Sequence, residues 1–311
     1  MDQSTSYTCR LSRRAWLRLA LGTGAWAATG GTMARDTLIE RAIPASGERL
    51  PVVGLGTWQT FDVGAADAAR APLREVLAEF ARAGARVVDS SPMYGRAEGV
   101  VGDLAAELGL RDRLFLATKV WTRGRDEGIR QMEQSLARMR VARLDLLQVH
   151  NLLDWRTHLA TLRDWKARGR VRYIGVTHYT ESAYGELERA LRNEPLDFVQ
   201  LNYSIVERAA ERRLLPLALE RGIAVIVNRP FAEGALFRRV RGRPLPEWAQ
   251  EFDCRSWAQF FLKFIVAHPA TTCAIPATSK LEHLVDNLQA GRGRLPDAAT
   301  RGRMARLVEE L

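Results

Sequence analysis

From Val87 to Pro276 the chain repeats one unit: a short apolar run, then a longer stretch with apolar residues at helical spacing. Runs such as Phe198-Val199-Gln200-Leu201 and Ile223-Ala224-Val225-Ile226-Val227 lack the apolar–polar alternation of a strand with one wet face. Strands of this kind belong to parallel sheets covered on both faces. Strand ends fall about 30 residues apart, the length of a strand–helix–strand unit. Strands are predicted at 85–89, 114–119, 144–150, 171–177, 197–203, 223–228 and 271–276. Helices are predicted at 72–83, 98–108, 127–139, 157–168, 182–192, 212–221, 256–267 and 280–290, with a last one over 296–311. Ahead of them, Thr37–Ile43 and Leu50–Trp58 flank the turn Ala45-Ser46-Gly47-Glu48, a β-hairpin signature. With the run at 50–58 counted, there are eight strand–helix pairs. The expected fold class is therefore α/β, a (β/α)8 TIM barrel with an N-terminal hairpin, of about 250 residues. Residues 35–311 read as a single barrel domain, and 231–255, rich in Arg, Gly and Pro, is a candidate lid or binding loop.

Composition removes several classes. At 311 residues and 47% hydrophobic content the chain can bury a full core, which excludes a disordered protein. Three cysteines, Cys9, Cys254 and Cys273, are too few for a disulfide framework and have no metal spacing, so no metal is expected. The net charge of +10 comes from arginines scattered over helices, without a basic stripe interleaved with aromatics, so no nucleic-acid partner is expected.

Residues 1–34 stand apart. Ser12-Arg13-Arg14-Ala15-Trp16-Leu17 precedes a mild apolar run broken by Gly22 and Gly24, and Thr32-Met33-Ala34 offers small residues for cleavage. This looks like a twin-arginine (Tat) export signal. The expectation is export by the Tat machinery to the periplasm, with no stable membrane span after processing; a retained membrane-surface anchor is the alternative.

Three strands end in chemistry. Val87-Val88 ends at Asp89 and leads through Ser90-Ser91-Pro92-Met93 to Tyr94; Leu114–Thr118 ends at Lys119; Leu144–Val149 ends at His150. Successive parallel strands are usually neighbours, so these four meet at the C-terminal rim, where barrels carry catalytic residues. Taken singly, Asp89 reads as a helix cap, Tyr94 as a loop aromatic, Lys119 as a surface residue and His150 as a core histidine. Taken together they make a proton donor. A nearby lysine cation stabilises the phenolate and lowers the tyrosine pKa, and an aspartate keeps the lysine charged. A histidine beside them orients a carbonyl oxygen. The hydride must come from elsewhere, and a nicotinamide cofactor supplies it. A seat for its phosphates lies at Ala277-Thr278-Ser279-Lys280, a helix start after the last strand. The plain reading of the same stretch is a capping box, Ser279 with Glu282. Gly54-Leu55-Gly56 has no helix directly after it and is not a Rossmann fingerprint.

In order along the chain, Gly54-Leu55-Gly56-Thr57-Trp58, Asp89 through Tyr94-Gly95, Thr118-Lys119, Gln148-Val149-His150, Ile174-Gly175-Val176-Thr177, Gln200-Leu201-Asn202-Tyr203, Ile275-Pro276 and Asp286-Asn287 resemble the aldo-keto reductase superfamily over nearly all of 38–290. The resemblance implies an Asp89, Tyr94, Lys119, His150 tetrad with Tyr94 as general acid. It implies NADP(H), with NAD(H) as the alternative, and a small aldehyde or ketone as substrate. Thr177 and Gln200 would hold the carboxamide; Thr278, Ser279, Lys280 and Asn287 fall in the segment for the adenosine end. Departures occur at Thr177-His178, where the family has Ser-Asn, and at Asn228-Arg229-Pro230-Phe231, where it has an aromatic under the nicotinamide. Phe231 would take that place, or Arg229 would stack there or reach a phosphate. His283 stands where many members have an arginine for the 2′-phosphate. Trp58, Met93, Trp121, Asn151 and loop 231–255 would shape the substrate pocket. The rival expectation is a non-catalytic nucleotide-binding barrel with a redox-sensing or regulatory role.

Overall fold

The apolar runs lie side by side as the strands of one barrel in a computed structural model, which describes residues 37–311. The export signal read at 1–34 lies outside the described residues, as does Cys9. The strands are β1 (Glu40–Ala42), β2 (Arg49–Pro51), β3 (Leu55–Gly56), β4 (Val87–Asp89), β5 (Phe115–Val120), β6 (Leu144–Val149), β7 (Val171–Thr177), β8 (Phe198–Asn202), β9 (Ala224–Asn228) and β10 (Thr271–Ala274). The helices are α1 (Asp67–Arg82), α2 (Ala97–Glu107), α3 (Arg125–Met139), α4 (Trp155–Ala167), α5 (Tyr184–Asn193), α6 (Leu214–Arg221), α7 (Ala235–Arg239), α8 (Trp257–Val266), α9 (Leu281–Gln289) and α10 (Ala298–Glu309). Strands β3 to β10 form one eight-stranded sheet in sequence order, every neighbouring pair parallel.

Single bridges at Val53–Ala274 and Gly56–Ala277 close β10 onto the β3 side. The approach is tight. A Cβ at Gly56 would lie 2.8 Å from the Ile275 carbonyl oxygen, so the Gly54-Leu55-Gly56 motif serves barrel closure.

The hairpin occupies the end of the barrel opposite the strand C-termini. Ile43 and Leu50 join the interior cluster with Val87, Phe115, Leu146, Tyr173, Phe198, Ile226 and Cys273. Phe115, Tyr173 and Phe198 pack ring against ring with centroids 5.6–6.0 Å apart. The Tyr173 hydroxyl donates to Glu48 Oε2 at 2.8 Å and lies 2.7 Å from the Ser46 hydroxyl, which holds the plug in place. Cys273 is a buried hydrophobe whose thiol pKa is pushed up by burial. A second, larger core fills the shell between strands and helices, with Leu73, Val76, Leu77 and Phe80 of α1 as one helix's share.

Three stretches depart most from the sequence expectation. The run 50–58 divides: its first part is the hairpin arm β2, and its second is β3, the first barrel strand. Helix α1 begins at Asp67 rather than Pro72, because Asp67-Ala68-Ala69-Arg70-Ala71 forms a first turn with no large apolar residue to reveal it. The connection 231–255 is not one open loop but contains α7 and a 3₁₀ turn at Glu247–Phe252. Among the described residues no helix is long and apolar enough to cross a membrane.

Candidate active site

Asp89, Lys119 and His150 stand at adjacent strand ends, and the register sets their order: Gly56 beside Asp89, Asp89 beside Ala117, Lys119 beside Gln148. Lys119 is 0% exposed. Its ammonium donates to Asp89 Oδ2 at 2.5 Å and to the Ser90 carbonyl at 2.7 Å. An ammonium has three hydrogens, so one is left for the side on which Tyr94 lies, its ring centroid 5.2 Å from Nζ. Burial pulls the Lys119 pKa down, but the Asp89 carboxylate and the Tyr94 oxygen outweigh it, and the net direction is up. Lys119 is therefore a charged group in a dry place, held there by its partner.

Tyr94 reaches the site on a short turn. Its N–H donates to the Ser91 carbonyl (3.0 Å) and its carbonyl accepts from Ala97 (3.1 Å). Gly95 has φ +60°, and a Cβ there would collide with the Asp62 carboxylate, which accepts the Arg96 N–H at 3.0 Å. The backbone conformation thus favours glycine at 95, and a side chain there would have to push the Asp62 carboxylate aside. Burial raises the Tyr94 pKa, Lys119 opposes it, and the net direction is up. The sequence expectation of a lowered pKa is corrected here: the lysine is where it was expected, but desolvation is the larger effect. Tyr94 is fully protonated at neutral pH, with a cation beside it that becomes stabilising once the proton leaves.

His150 follows β6 directly. Burial, Lys119 and His178 lower its pKa to about 2, so its imidazole is neutral. Its ring meets Tyr94 edge-on at 5.8 Å and lies 6.4 Å from Trp121. The loop after it is strained: Asn151, Leu152 and Asp154 all have φ between +51° and +54°. Non-glycine residues in that region cost of order 1–3 kcal/mol each and cluster at functional sites.

Gln200 and Thr177 join the tetrad from β8 and β7. Gln200 donates through Nε2 to Asp89 Oδ1 at 2.9 Å and accepts from Thr177 at 3.2 Å. One amide hydrogen and one lone pair of Gln200 stay available. His178 stacks on Tyr179 with rings 4° from parallel, and its Nδ1 accepts the Thr180 N–H at 3.2 Å. Asn228, at the end of β9, donates to the His178 carbonyl at 3.4 Å, while its Oδ1 is buried without a partner among the described residues. Arg229 has φ +51°, donates to the Tyr179 carbonyl at 3.0 Å and faces Glu207 and Glu233. Phe231 lies 4.8 Å from Phe237, which in turn meets Phe261.

Around the rim Trp58 (42% exposed), Met93 (39%) and Trp121 (40%) present apolar surface, and Asn151 Oδ1 is buried without a partner among the described residues. Gln131 holds the Trp121 backbone from both sides, accepting its N–H (2.5 Å) and donating to its carbonyl (3.2 Å). At the far side Thr278 and Asn287 are buried, while Lys280 and His283 are exposed. Ser279 does not cap α9. Thr278 Oγ1 takes the Lys280 N–H at 3.1 Å, the helix starts at Leu281, and no side chain among the described residues caps it. The capping-box reading is thus corrected, and the first-turn N–H groups are left for another acceptor.

Three residues that sequence reasoning passed over support the site: Ser91, whose hydroxyl is 2.9 Å from His150 Nδ1; Asp62, under Gly95; and Gln131, on Trp121. Only Ser91 had a local signal, its place between Asp89 and Tyr94.

Residues 52–301 match the profile of the Aldo/keto reductase family. The chain is similar to methylglyoxal reductase YeaE of Escherichia coli (strain K12), 28% identical over 257 residues that span 80% of this chain and 88% of that protein. It is similar to NADH-specific methylglyoxal reductase of the same organism, 28% identical over 218 residues, 59% of this chain and 64% of that protein. Among solved structures, an aldo/keto reductase from Klebsiella pneumoniae in complex with NADP and acetate superposes with a TM-score of 0.68 at 27% identity, covering 84% of this chain and 93% of that one.

Proposed function

The chain belongs to the aldo/keto reductase family, and from that membership we propose an NADPH-dependent reductase of small aldehydes and ketones in which Tyr94 delivers the proton. The observation that carries this reading is the buried Lys119–Asp89 pair beside Tyr94, with the neutral His150 ring edge-on to it.

The residues at the barrel mouth fit a dinucleotide. The buried, unpartnered Asn228 Oδ1 and the spare amide groups of Gln200 suit a carboxamide, and the uncapped start of α9 with Lys280 suits a phosphate. Thr177, His178 and Gln200 would hold the nicotinamide end, with Asn228, Arg229 and Phe231 beside it. Thr278, Ser279, Lys280, His283 and Asn287 would hold the adenosine end. A bound nicotinamide supplies the hydride.

The chain's own residues do the rest. His150 orients the carbonyl oxygen by hydrogen bond. As the carbonyl carbon gains the hydride, its oxygen takes the Tyr94 proton, and the phenolate left behind is stabilised by Lys119. Asp89 keeps Lys119 charged and Gln200 keeps Asp89 in place. Trp58, Met93, Trp121 and Asn151 surround the substrate. Similarity to two methylglyoxal reductases supports a small dicarbonyl as the first substrate to try.

We further propose that Arg13-Arg14 directs the folded protein through the Tat machinery to the periplasm, with cofactor loaded beforehand; fractionation of cells expressing Arg13→Lys with Arg14→Lys tests this, and an unchanged periplasmic share contradicts it. The function itself is tested by fluorescence titration with NADPH and NADH, followed by turnover of methylglyoxal. Tight NADPH binding with turnover is expected. NADH preference would assign the NAD(H) alternative, and nucleotide binding with no carbonyl turnover would favour a regulatory barrel.

A further inference from the structure

We propose that Ser91 is a positioning residue that fixes His150 as its Nε2–H tautomer, so that the ring presents a hydrogen-bond donor to a carbonyl oxygen. This deepens the reductase reading and rests on it. Ser91 is 0% exposed, and its Oγ lies 2.9 Å from His150 Nδ1. The same oxygen faces the Met93 N–H at 3.4 Å.

A serine hydroxyl has one hydrogen to give and can accept two. With the Met93 N–H aimed at the oxygen, Nδ1 is the one acceptor within reach of the hydroxyl hydrogen among the described residues. Ser91 therefore donates to Nδ1, and the hydrogen of the neutral ring sits on Nε2. The opposite tautomer would direct two N–H groups at one oxygen, strand the hydroxyl hydrogen, and turn an Nε2 lone pair towards the substrate oxygen. That last contact repels where the reaction needs attraction. Nε2 makes no hydrogen bond to protein among the described residues, and the ring edge lies beside Tyr94 at 5.8 Å. Two donors, Tyr94 O–H and His150 Nε2–H, then converge on one oxygen. Burial supports the assignment by keeping the imidazole neutral, the only state in which the tautomer matters.

The test is ring-nitrogen NMR of ¹⁵N-histidine-labelled protein, with the His150 signals assigned by their loss in His150→Asn. Wild type is expected to show Nε2–H. Ser91→Ala is expected to mix the tautomers and to lower kcat for methylglyoxal roughly tenfold, the worth of one hydrogen bond, with NADPH affinity nearly unchanged and Tm lower by a few degrees. Ser91→Thr, which keeps the hydroxyl, restores both the tautomer and most of kcat. An Nδ1–H ring in wild type overturns the proposal, as does a Ser91→Ala variant that keeps wild-type tautomer and kcat. Should Ser91→Ala fail to fold, the wild-type and Ser91→Thr spectra decide the matter. Failure of every variant, wild type included, to reduce a carbonyl would count against the reductase reading, while the ring spectrum still decides what Ser91 does.

Discussion

The ammonium of Lys119 and the carboxylate of Asp89 meet at 2.5 Å inside the barrel, with side-chain exposures of 0% and 3%. Neither charge is stable there alone. Their mutual attraction, the Ser90 carbonyl and the Gln200 amide together satisfy both groups.

Removing one partner leaves the other charge stranded. Lys119→Met should cost about 3–5 kcal/mol of stability, the range for breaking a buried pair. In a domain of this size each kcal/mol is roughly 2–4 °C of Tm, so calorimetry should find a fall of about 10 °C. A variant as stable as wild type would mean that the pair carries no net attraction.

The pH dependence of reduction follows from the two neighbours of that pair. Tyr94 must be protonated to act, and its pKa is raised, so kcat should hold through neutral pH and fall only above the ordinary tyrosine range near 10. His150 is already neutral, with a pKa of about 2, so no inflection near pH 6.5 should appear. A pH–kcat profile with a break near 6.5 would place a titrating histidine in the step.

Stability should show the opposite sensitivity. His150 binds its proton at pH 6.5 when unfolded and at about 2 when folded. Above pH 6.5 both states are neutral and the shift has no effect. As pH falls below 6.5 the unfolded state takes up the proton first, and stability is lost, about 2 kcal/mol by pH 5. His268, lowered to about 4 by burial and then by the Arg301 charge, adds in the same direction. Urea unfolding at pH 7 and pH 5 should therefore show a smaller loss in His150→Asn than in wild type.

Gly95→Ala should damage turnover more than stability. The substitution forces a side chain into φ +60° and against Asp62, which costs about 1 kcal/mol or more but displaces the turn that carries Tyr94. A kcat loss well beyond the change in Tm is expected; equal losses in both would mean that the turn does not set the Tyr94 position.

How far the sequence reached can be read from particular residues. The barrel and the meeting of Asp89, Lys119 and His150 were legible because strand spacing alone brings successive strand ends together. The α1 start was hidden because its first turn, Asp67 to Ala71, has no large apolar residue. The division of 50–58 was hidden because Leu50 to Gly56 is one unbroken apolar run, in which only three residues separate β2 from β3. Lys119 beside Tyr94 was legible, yet the direction of the Tyr94 shift was not, since desolvation depends on the neighbours that cover the ring. Ser279 met the pattern of a cap, but the Thr278 turn moved the helix start past it. The bond from Ser91 to His150 joins residues 59 apart in sequence, so the place of Ser91 between Asp89 and Tyr94 does not reveal its partner.

The most direct test is Tyr94→Phe, assayed for methylglyoxal reduction and for NADPH affinity in parallel. Loss of the proton donor should lower kcat by roughly 10²–10⁴, while the nucleotide binds as before because its proposed contacts lie elsewhere. Turnover equal to wild type in that variant would contradict the account, since the proton would then come from a group other than the one beside Lys119.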